Sequence, residues 1–180
     1  MPELVLPDGR VQLSFLTAMK EFQAEGRGGP SDDHSMLGRE IQLWGDRWDD
    51  PAVFAEYAAW LRADAHEESA RPPGFVPATT LWWADGDEYL GRISVRHRLT
   101  PSLLLVGGNI GYDVRPSARR RGHATGMLAA ALVVARGLGI DRALLTCLND
   151  NIGSRKVIEA NGGMLEDERD GMLRFWVPTS

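Results

Sequence analysis

The stretch from residue 107 to residue 128 constrains the fold more than any other part of the sequence. An apolar strand pattern ends at Val114, a loop with Pro116 follows, and a helical pattern begins after it. The helix is indicated by apolar residues that recur on one face, namely Leu128, Ala131, Leu132, Ala135 and Leu138. The stretch therefore predicts a strand, a loop and a long helix in succession.

Three cations crowd the start of that helix. Arg119, Arg120 and Arg121 stand where the helix dipole favours anions, in a chain whose formal net charge is −5. Such a cluster is unfavourable unless an anion joins it, whereas Gly122 and Gly126 leave room for a phosphate to reach backbone N–H groups. The pattern favours a pyrophosphate site, and the alternative is a solvated basic loop.

The loop also carries a resemblance to a known family. Arg119-x-x-Gly122-x-Ala124 is similar to the Arg/Gln-x-x-Gly-x-Gly/Ala signature of the GNAT superfamily of acetyl-CoA-dependent N-acyltransferases. Rival phosphate motifs, the P-loop and Gly-x-Gly-x-x-Gly, are not found in the sequence. Other segments resemble a bacterial group of predicted acetyltransferases in that superfamily: 81–83, 91–97, 154–163 and 174–176.

Composition limits the function classes. A chain of 180 residues suits one domain, so we expect a single N-acetyltransferase domain over residues 1–180. The acidic net charge argues against nucleic-acid binding, and the apolar runs are too short to span a membrane. The lone Cys147 and the absence of a signal-peptide pattern predict a cytoplasmic protein. The oligomeric state is left open, a homodimer included.

Periodicity along the rest of the chain predicts an α/β fold. The order of elements indicates a mixed, mostly antiparallel sheet with helices on both faces, which is the GNAT-like fold that the resemblance implies. A Gly/Pro-rich loop at 26–32 is expected to be a mobile flap over a site. The predicted strands are 3–6, 79–84, 89–97, 107–114, 143–148, 164–168 and 173–177, and the clearest other helices are 13–25, 51–69 and 152–160.

The resemblance implies a site for acetyl-CoA as cosubstrate. Its pyrophosphate would be held by the loop and first helical turn: Arg119, Arg120, Arg121, Gly122, His123, Ala124 and Thr125. In this fold the strand ending at Val114 splays from the strand at 143–148, and the pantetheine arm pairs with backbone groups near Tyr112 and Val114. Asn151 and Ser154 stand where the family places polar contacts to the cofactor, and capping of the following helix is a further role for them.

The family's usual proton-transfer groups are missing from this sequence. Many GNAT enzymes have a tyrosine where this chain has Ile158, and several carry a glutamate where it has Gly108 or Asn109. Pairing of strands 89–97 and 107–114 would place His97 beside those two residues, so His97 is the candidate base. The alternative is that His97 only hydrogen-bonds the loop, and Glu88 and Asp113 are weaker candidates.

No metal site is expected. His34, His66 and His123 have no partners at metal-ligand spacing, and Cys147 lies in an apolar run typical of a core.

The sequence therefore predicts an N-acetyltransferase. It would move an acetyl group from acetyl-CoA to a primary amine of a small molecule or a protein, by direct attack in a ternary complex. The alternative is a noncatalytic acyl-CoA-binding or regulatory module, which the missing tyrosine and glutamate suggest.

Overall fold

The computed structural model describes residues 1–32 and 35–180, so His34 lies outside the described residues. Six α-helices and seven strands lie within these described residues. In chain order they are β1 Glu3–Val5, α1 Gln12–Ala24, α2 Met36–Trp44, α3 Pro51–Ala63, β2 Ala78–Asp85, β3 Glu88–Arg96, α4 Pro101–Leu105, β4 Ile110–Val114, α5 His123–Gly137, β5 Arg142–Leu148, α6 Ile152–Ala160, β6 Met164–Arg169 and β7 Met172–Pro178.

The strands form two antiparallel sheets. The first has the order β1-β2-β3-β4 and the second has the order β5-β7-β6. All described strand pairs are antiparallel. The predicted α/β architecture with mostly antiparallel pairing is confirmed. Where the sequence pattern suggested one sheet, the ladder is interrupted between β4 and β5.

Two hydrophobic cores lie on opposite faces of the first sheet. Leu81, Ile93 and Ile110 face a core that α5 and α6 share with the second sheet. Trp82 and Tyr89 face a second core, built with α1, α2 and α3 around Phe15. Since side chains alternate along a strand, each of the central strands supplies both cores. Helices therefore cover both faces, as predicted.

Several predicted boundaries were wrong. The helix predicted over 51–69 ends at Ala63, where the following turns are held by Arg71, which donates to the carbonyl oxygens of Asp64 and His66. The loop at Pro101 contains the short helix α4, because the Thr100 hydroxyl caps it by accepting from the backbone N–H of Leu103. By contrast, α6 has the predicted bounds of 152–160, and Asn151 is its N-cap.

An ion pair is buried between α2 and β3. The Glu40 carboxylate accepts hydrogen bonds from the Arg92 guanidinium and from the Tyr57 hydroxyl. Glu40 and Arg92 are each only 3% exposed, so neither charge is solvated by bulk water. Burial and the neighbouring Glu40 carboxylate raise the pKa of Tyr57, which stays a protonated donor. This cluster fixes α2 against the sheet.

Removal of one charge from this cluster should be costly. We expect Glu40→Ala to lower the free energy of unfolding by about 3–5 kcal/mol, because it leaves the Arg92 charge uncompensated. Tyr57→Phe, which removes one hydrogen bond, should cost only about 1 kcal/mol. Urea unfolding of both variants beside the wild type measures the difference, and equal losses would contradict the buried-charge argument.

Candidate active site

The interruption between β4 and β5 begins at Asn109. Its backbone N–H donates to the Leu144 carbonyl oxygen at 2.7 Å, and its side-chain oxygen accepts from the Leu144 N–H at 2.9 Å. Asn109 thus makes two hydrogen bonds with β5, and the Gly107 N–H makes a third with the Thr146 hydroxyl at 2.9 Å. Beyond Asn109 the two strands no longer pair, as the resemblance implied.

Gly108 permits this close approach. A Cβ atom at this position would lie 2.2 Å from the Leu144 carbonyl oxygen, and the residue has a left-handed φ of +58°. Gly107 is also left-handed, with φ +103°. These two conformations explain why β4 begins at Ile110 and not at residue 107, as the sequence predicted.

At the open edge of β4, the backbone groups of two residues face the gap between β4 and β5. The backbone N–H of Arg96 donates to the Asn109 carbonyl, and the backbone N–H of Arg115 donates to the Leu90 carbonyl. Residues 109 and 115 flank β4, so by alternation its odd-numbered residues hydrogen-bond with β3. The alternation of an antiparallel ladder then directs the backbone groups of Tyr112 and Val114 into the gap. The Val114 carbonyl already accepts from Arg119 Nε at 3.0 Å.

A cavity of about 650 Å³ opens from this gap toward the start of α5. Its lining includes all the predicted cofactor residues except Arg121: Tyr112, Val114, Arg119, Arg120, Gly122, His123, Ala124, Thr125, Asn151 and Ser154. The lining also includes Glu25 and Arg27, from the end of α1 and the turn after it. The sequence predicted a flap over a site at 26–32, but it did not single out either side chain.

The first turn of α5 presents its backbone to the cavity. Gly122 occupies the N-cap position with φ +81°, no side chain caps the helix, and no acidic residue lies in its first turn. Arg120 is also left-handed, with φ +63°. Since non-glycine residues seldom adopt this conformation, the loop has a strained bend whose N–H groups can converge on an anion.

The arginine cluster is partly neutralised by α1. Arg119 forms a bidentate pair with Glu25, at 2.7 and 2.9 Å, and Arg115 pairs with Glu21. Partial burial opposes ionisation of Glu21, but the hydrogen bonds from Arg115 and Ser117 prevail and lower its pKa. The expectation that the cluster requires an external anion was therefore too strong for Arg119. These partners lie more than 90 residues away in sequence, so no local pattern signals them.

Tyr112 and the start of α6 line the wall of the cavity next to the core that α5 and α6 share with the second sheet. The Tyr112 hydroxyl donates to the Ser154 hydroxyl at 3.2 Å, and the Asn151 side chain accepts from the Ser154 N–H at 3.1 Å. Asn151 thus caps α6, which is the further role that the sequence analysis gave it. His123 Nδ1 accepts from the Trp83 indole N–H at 3.3 Å, which orients the imidazole at the edge of the cavity.

Asp113 lies on the opposite wall, toward α1. Its carboxylate pairs with Arg27 at 2.7 Å, and the two side chains are 21% and 30% exposed. Burial raises the pKa of Asp113 although the Arg27 and Arg92 guanidinium groups act to lower it. The cavity therefore has an ionisable carboxylate one residue from the gap-facing backbone of Tyr112.

His97 is not brought to the cavity lining. Its imidazole Nε2 is 2.8 Å from the Thr79 hydroxyl, and its backbone N–H donates to the Pro77 carbonyl at 2.9 Å. Partial burial lowers its pKa despite the nearby carboxylates of Glu67 and Asp64. Ile158 packs in the core at 1% exposure, and Val157 is the residue of that turn that reaches the cavity.

Within residues 1–32 and 35–180 there is no cluster of three or more His, Cys, Asp or Glu side chains placed to hold a metal ion. None of the helices in this part of the chain is both long enough and apolar enough to cross a membrane. Cys147 is buried, and burial raises the pKa of its thiol.

The family model described as an acetyltransferase (GNAT) domain matches residues 34–164. The chain belongs to the GNAT family. It is therefore an acetyl-CoA-dependent acetyltransferase, and the predictions of family, fold, enzyme class and cosubstrate are confirmed. A search of curated proteins by sequence finds no match.

Solved GNAT structures share the fold at low sequence identity. RimJ of Mycobacterium smegmatis, in complex with CoA-disulfide, aligns with a TM-score of 0.67 at 17% identity, over 98% of this chain and 81% of that one. The ribosomal-protein-S5-alanine acetyltransferase of Vibrio fischeri gives 0.66 at 12% identity, over 99% and 93%. The microcin C7 self-immunity acetyltransferase MccE, in complex with acetyl-CoA and AMP, gives 0.63 at 13% identity, over 98% and 92%.

Tyrosine titration tests the environment of Tyr112. Burial raises its pKa to about 12, while Ser154 acts to lower it. Because the unfolded chain releases a phenol proton near pH 10, this contribution to stability should be complete below about pH 10 and should be lost as the pH rises toward 12. Phenolate absorbance and unfolding free energy measured against pH should show this in the wild type. Tyr112→Phe should lack the phenolate step near pH 12 and should lose less stability than the wild type between pH 10 and 12, because Tyr57 and Tyr89 remain. A one-tyrosine step near pH 10 in the folded wild type would contradict the prediction.

Proposed function

We propose that this acetyltransferase binds acetyl-CoA with the pyrophosphate at the start of α5 and the pantetheine arm in the gap between β4 and β5. The continuous cavity that joins these two features is the observation that carries the proposal. Backbone N–H groups of Gly122 to Thr125 would contact the phosphates, and the exposed charge of Arg121 would add attraction from outside the cavity. The complexes of RimJ with CoA-disulfide and of MccE with acetyl-CoA, which share this fold, support acetyl-CoA as the cosubstrate.

The acetyl group would pass directly to a primary amine in a ternary complex. With the pantetheine in the gap, the Tyr112 N–H would lie beside the thioester carbonyl and stabilise the oxyanion that forms during attack. Ile158 cannot replace the family's tyrosine as an acid, since an aliphatic side chain has no proton to donate, and it also packs in the core. The Tyr112 and Ser154 hydroxyl groups are donors near the departing sulfur in this arrangement. We further propose a cytoplasmic location, which the lone and buried Cys147 supports.

The second candidate is a noncatalytic acyl-CoA-binding module. Two observations favour it: Ile158 stands in place of the usual acid and is buried, and the predicted base His97 does not line the cavity. Transfer from acetyl-CoA across a panel of small-molecule and peptide amines separates the two. Thiol release that depends on the amine supports the enzyme, and binding without any release supports the module.

Acetyl-CoA binding should depend on the backbone at Gly122. At 100 times its dissociation constant the ligand should stabilise the fold by about 2.7 kcal/mol. Gly122→Val should remove this gain, because a β-branched residue does not hold a φ of +81° and the N–H groups would turn away. Gly137→Val is the matched control, since it lies at the far end of the same helix with open space around it. Equal ligand-induced thermal shifts in the two variants would contradict the proposed phosphate site.

The candidate base His97 has its own test. A general base at this position would make His97→Gln lower turnover by about 10²–10⁴-fold near pH 7. Because the imidazole is bonded to Thr79 and does not line the cavity, we expect turnover within a few-fold of the wild type. A loss of the larger size, with acetyl-CoA binding intact, would restore His97 as the base.

A further inference from the structure

The Arg27–Asp113 ion pair crosses the wall of the cavity opposite Tyr112 and Ser154. Both side chains line the cavity and both are partly open to solvent. Asp113 follows Tyr112 in β4, so its carboxylate emerges about 3.4 Å along the strand from the backbone proposed to hold the thioester. A group bound by Asp113 would therefore approach the acyl carbon from the α1 side.

Resting on the proposed function, we propose that this ion pair is the acceptor site and that the acceptor is a primary amine that also carries an anionic group. The ammonium replaces Arg27 at the Asp113 carboxylate. The Arg27 guanidinium, displaced from Asp113, binds the carboxylate or phosphate of the acceptor.

The charges around Asp113 favour an exchange of this kind. Three guanidinium groups act on Asp113: Arg27 from the turn after α1, Arg92 from β3 and Arg119 from the loop before α5. Glu40 holds Arg92 and Glu25 holds Arg119, while Asp113 itself balances Arg27. An amine without an anionic group would take Asp113 and leave the Arg27 charge uncompensated. A zwitterion compensates both members of the pair.

Asp113 also accepts the proton that the amine must lose. One N–H proton of the ammonium moves to an Asp113 carboxylate oxygen, and the nitrogen lone pair attacks the thioester carbon. The C–N bond forms while the Tyr112 N–H holds the oxyanion. Collapse of the intermediate breaks the C–S bond, and the second proton of the nitrogen passes to the thiolate, directly or through water. Burial raises the pKa of Asp113, which moves the carboxylate toward the neutral range where a base works best.

The test compares acceptors that differ only in the anionic group. Turnover is measured with β-alanine, 4-aminobutyrate, an aminoalkyl phosphate and short peptides, each beside its amide or hydroxyl counterpart. We expect the wild type to prefer the anionic member of each productive pair by at least about 10-fold in kcat/KM, the discrimination of one charge-assisted contact. Arg27→Gln should abolish this preference, and Arg27→Lys should restore part of it.

Asp113→Asn should lower kcat by about 10²–10⁴-fold for every acceptor and leave acetyl-CoA affinity unchanged. Asp113→Asn alone leaves the Arg27 charge without its partner, whereas the double variant Arg27→Gln/Asp113→Asn removes both charges. If the single variant fails to fold, the turnover of the double variant shows whether the Asp113 carboxylate is required. Asp46→Asn and Arg136→Gln are matched controls on exposed positions away from the cavity.

Three outcomes overturn the inference alone, given a wild type that transfers acetyl groups. They are Asp113→Asn turnover within a few-fold of the wild type, preference for the uncharged member of each pair, and a preference that survives in Arg27→Gln. A wild type that transfers to no amine of the panel overturns the proposed function as well, and parallel acetyl-CoA binding then shows whether the cofactor site stands.

Discussion

The pair of hydrogen bonds between Asn109 and Leu144 is the constraint on which the site depends. It joins the two antiparallel sheets at one end of β4, where the Gly107 N–H also donates to the Thr146 hydroxyl of β5. A regular ladder would have satisfied the backbone groups of Tyr112 and Val114 with β5. Because pairing stops at Asn109, those groups face a cavity, and two left-handed glycines form the turn at which the pairing stops.

Carboxylates at the end of α1 bind the arginines beside the proposed phosphate site. Glu21 and Glu25 stand one helical turn apart and bind Arg115 and Arg119, so the loop before α5 is tied to a helix on the other face of the sheet. The Glu25 pair is exposed, and its contribution to stability is small. Its effect is geometric, since a fixed Arg119 holds the Val114 carbonyl and the loop in place.

Features with local causes could be predicted from this sequence, and features that depend on distant contacts could not. The start of α5, the gap at Val114 and the capping role of Asn151 were predictable, because their causes lie within a few residues or in a short motif. The partners of Arg115 and Arg119 were not, because they depend on how α1 packs against a strand about 90 residues later. Arg27 lies in the flap predicted at 26–32, but its pairing with Asp113, 86 residues later, was missed for the same reason. His97 was predicted near residues 108–109, and β3 does end beside Asn109, but its side chain turns to Thr79 on β2.

The Glu40–Arg92–Tyr57 cluster has a consequence for how α2 is oriented. Apolar side chains alone permit a helix to rotate or slide on a sheet at little cost, since many packings bury similar area. A buried carboxylate that must meet one guanidinium and one hydroxyl permits a single rotational setting. The position of α2 is thus fixed when the chain folds, so the entropy of ordering this layer behind the first sheet is lost during folding and not when a substrate binds.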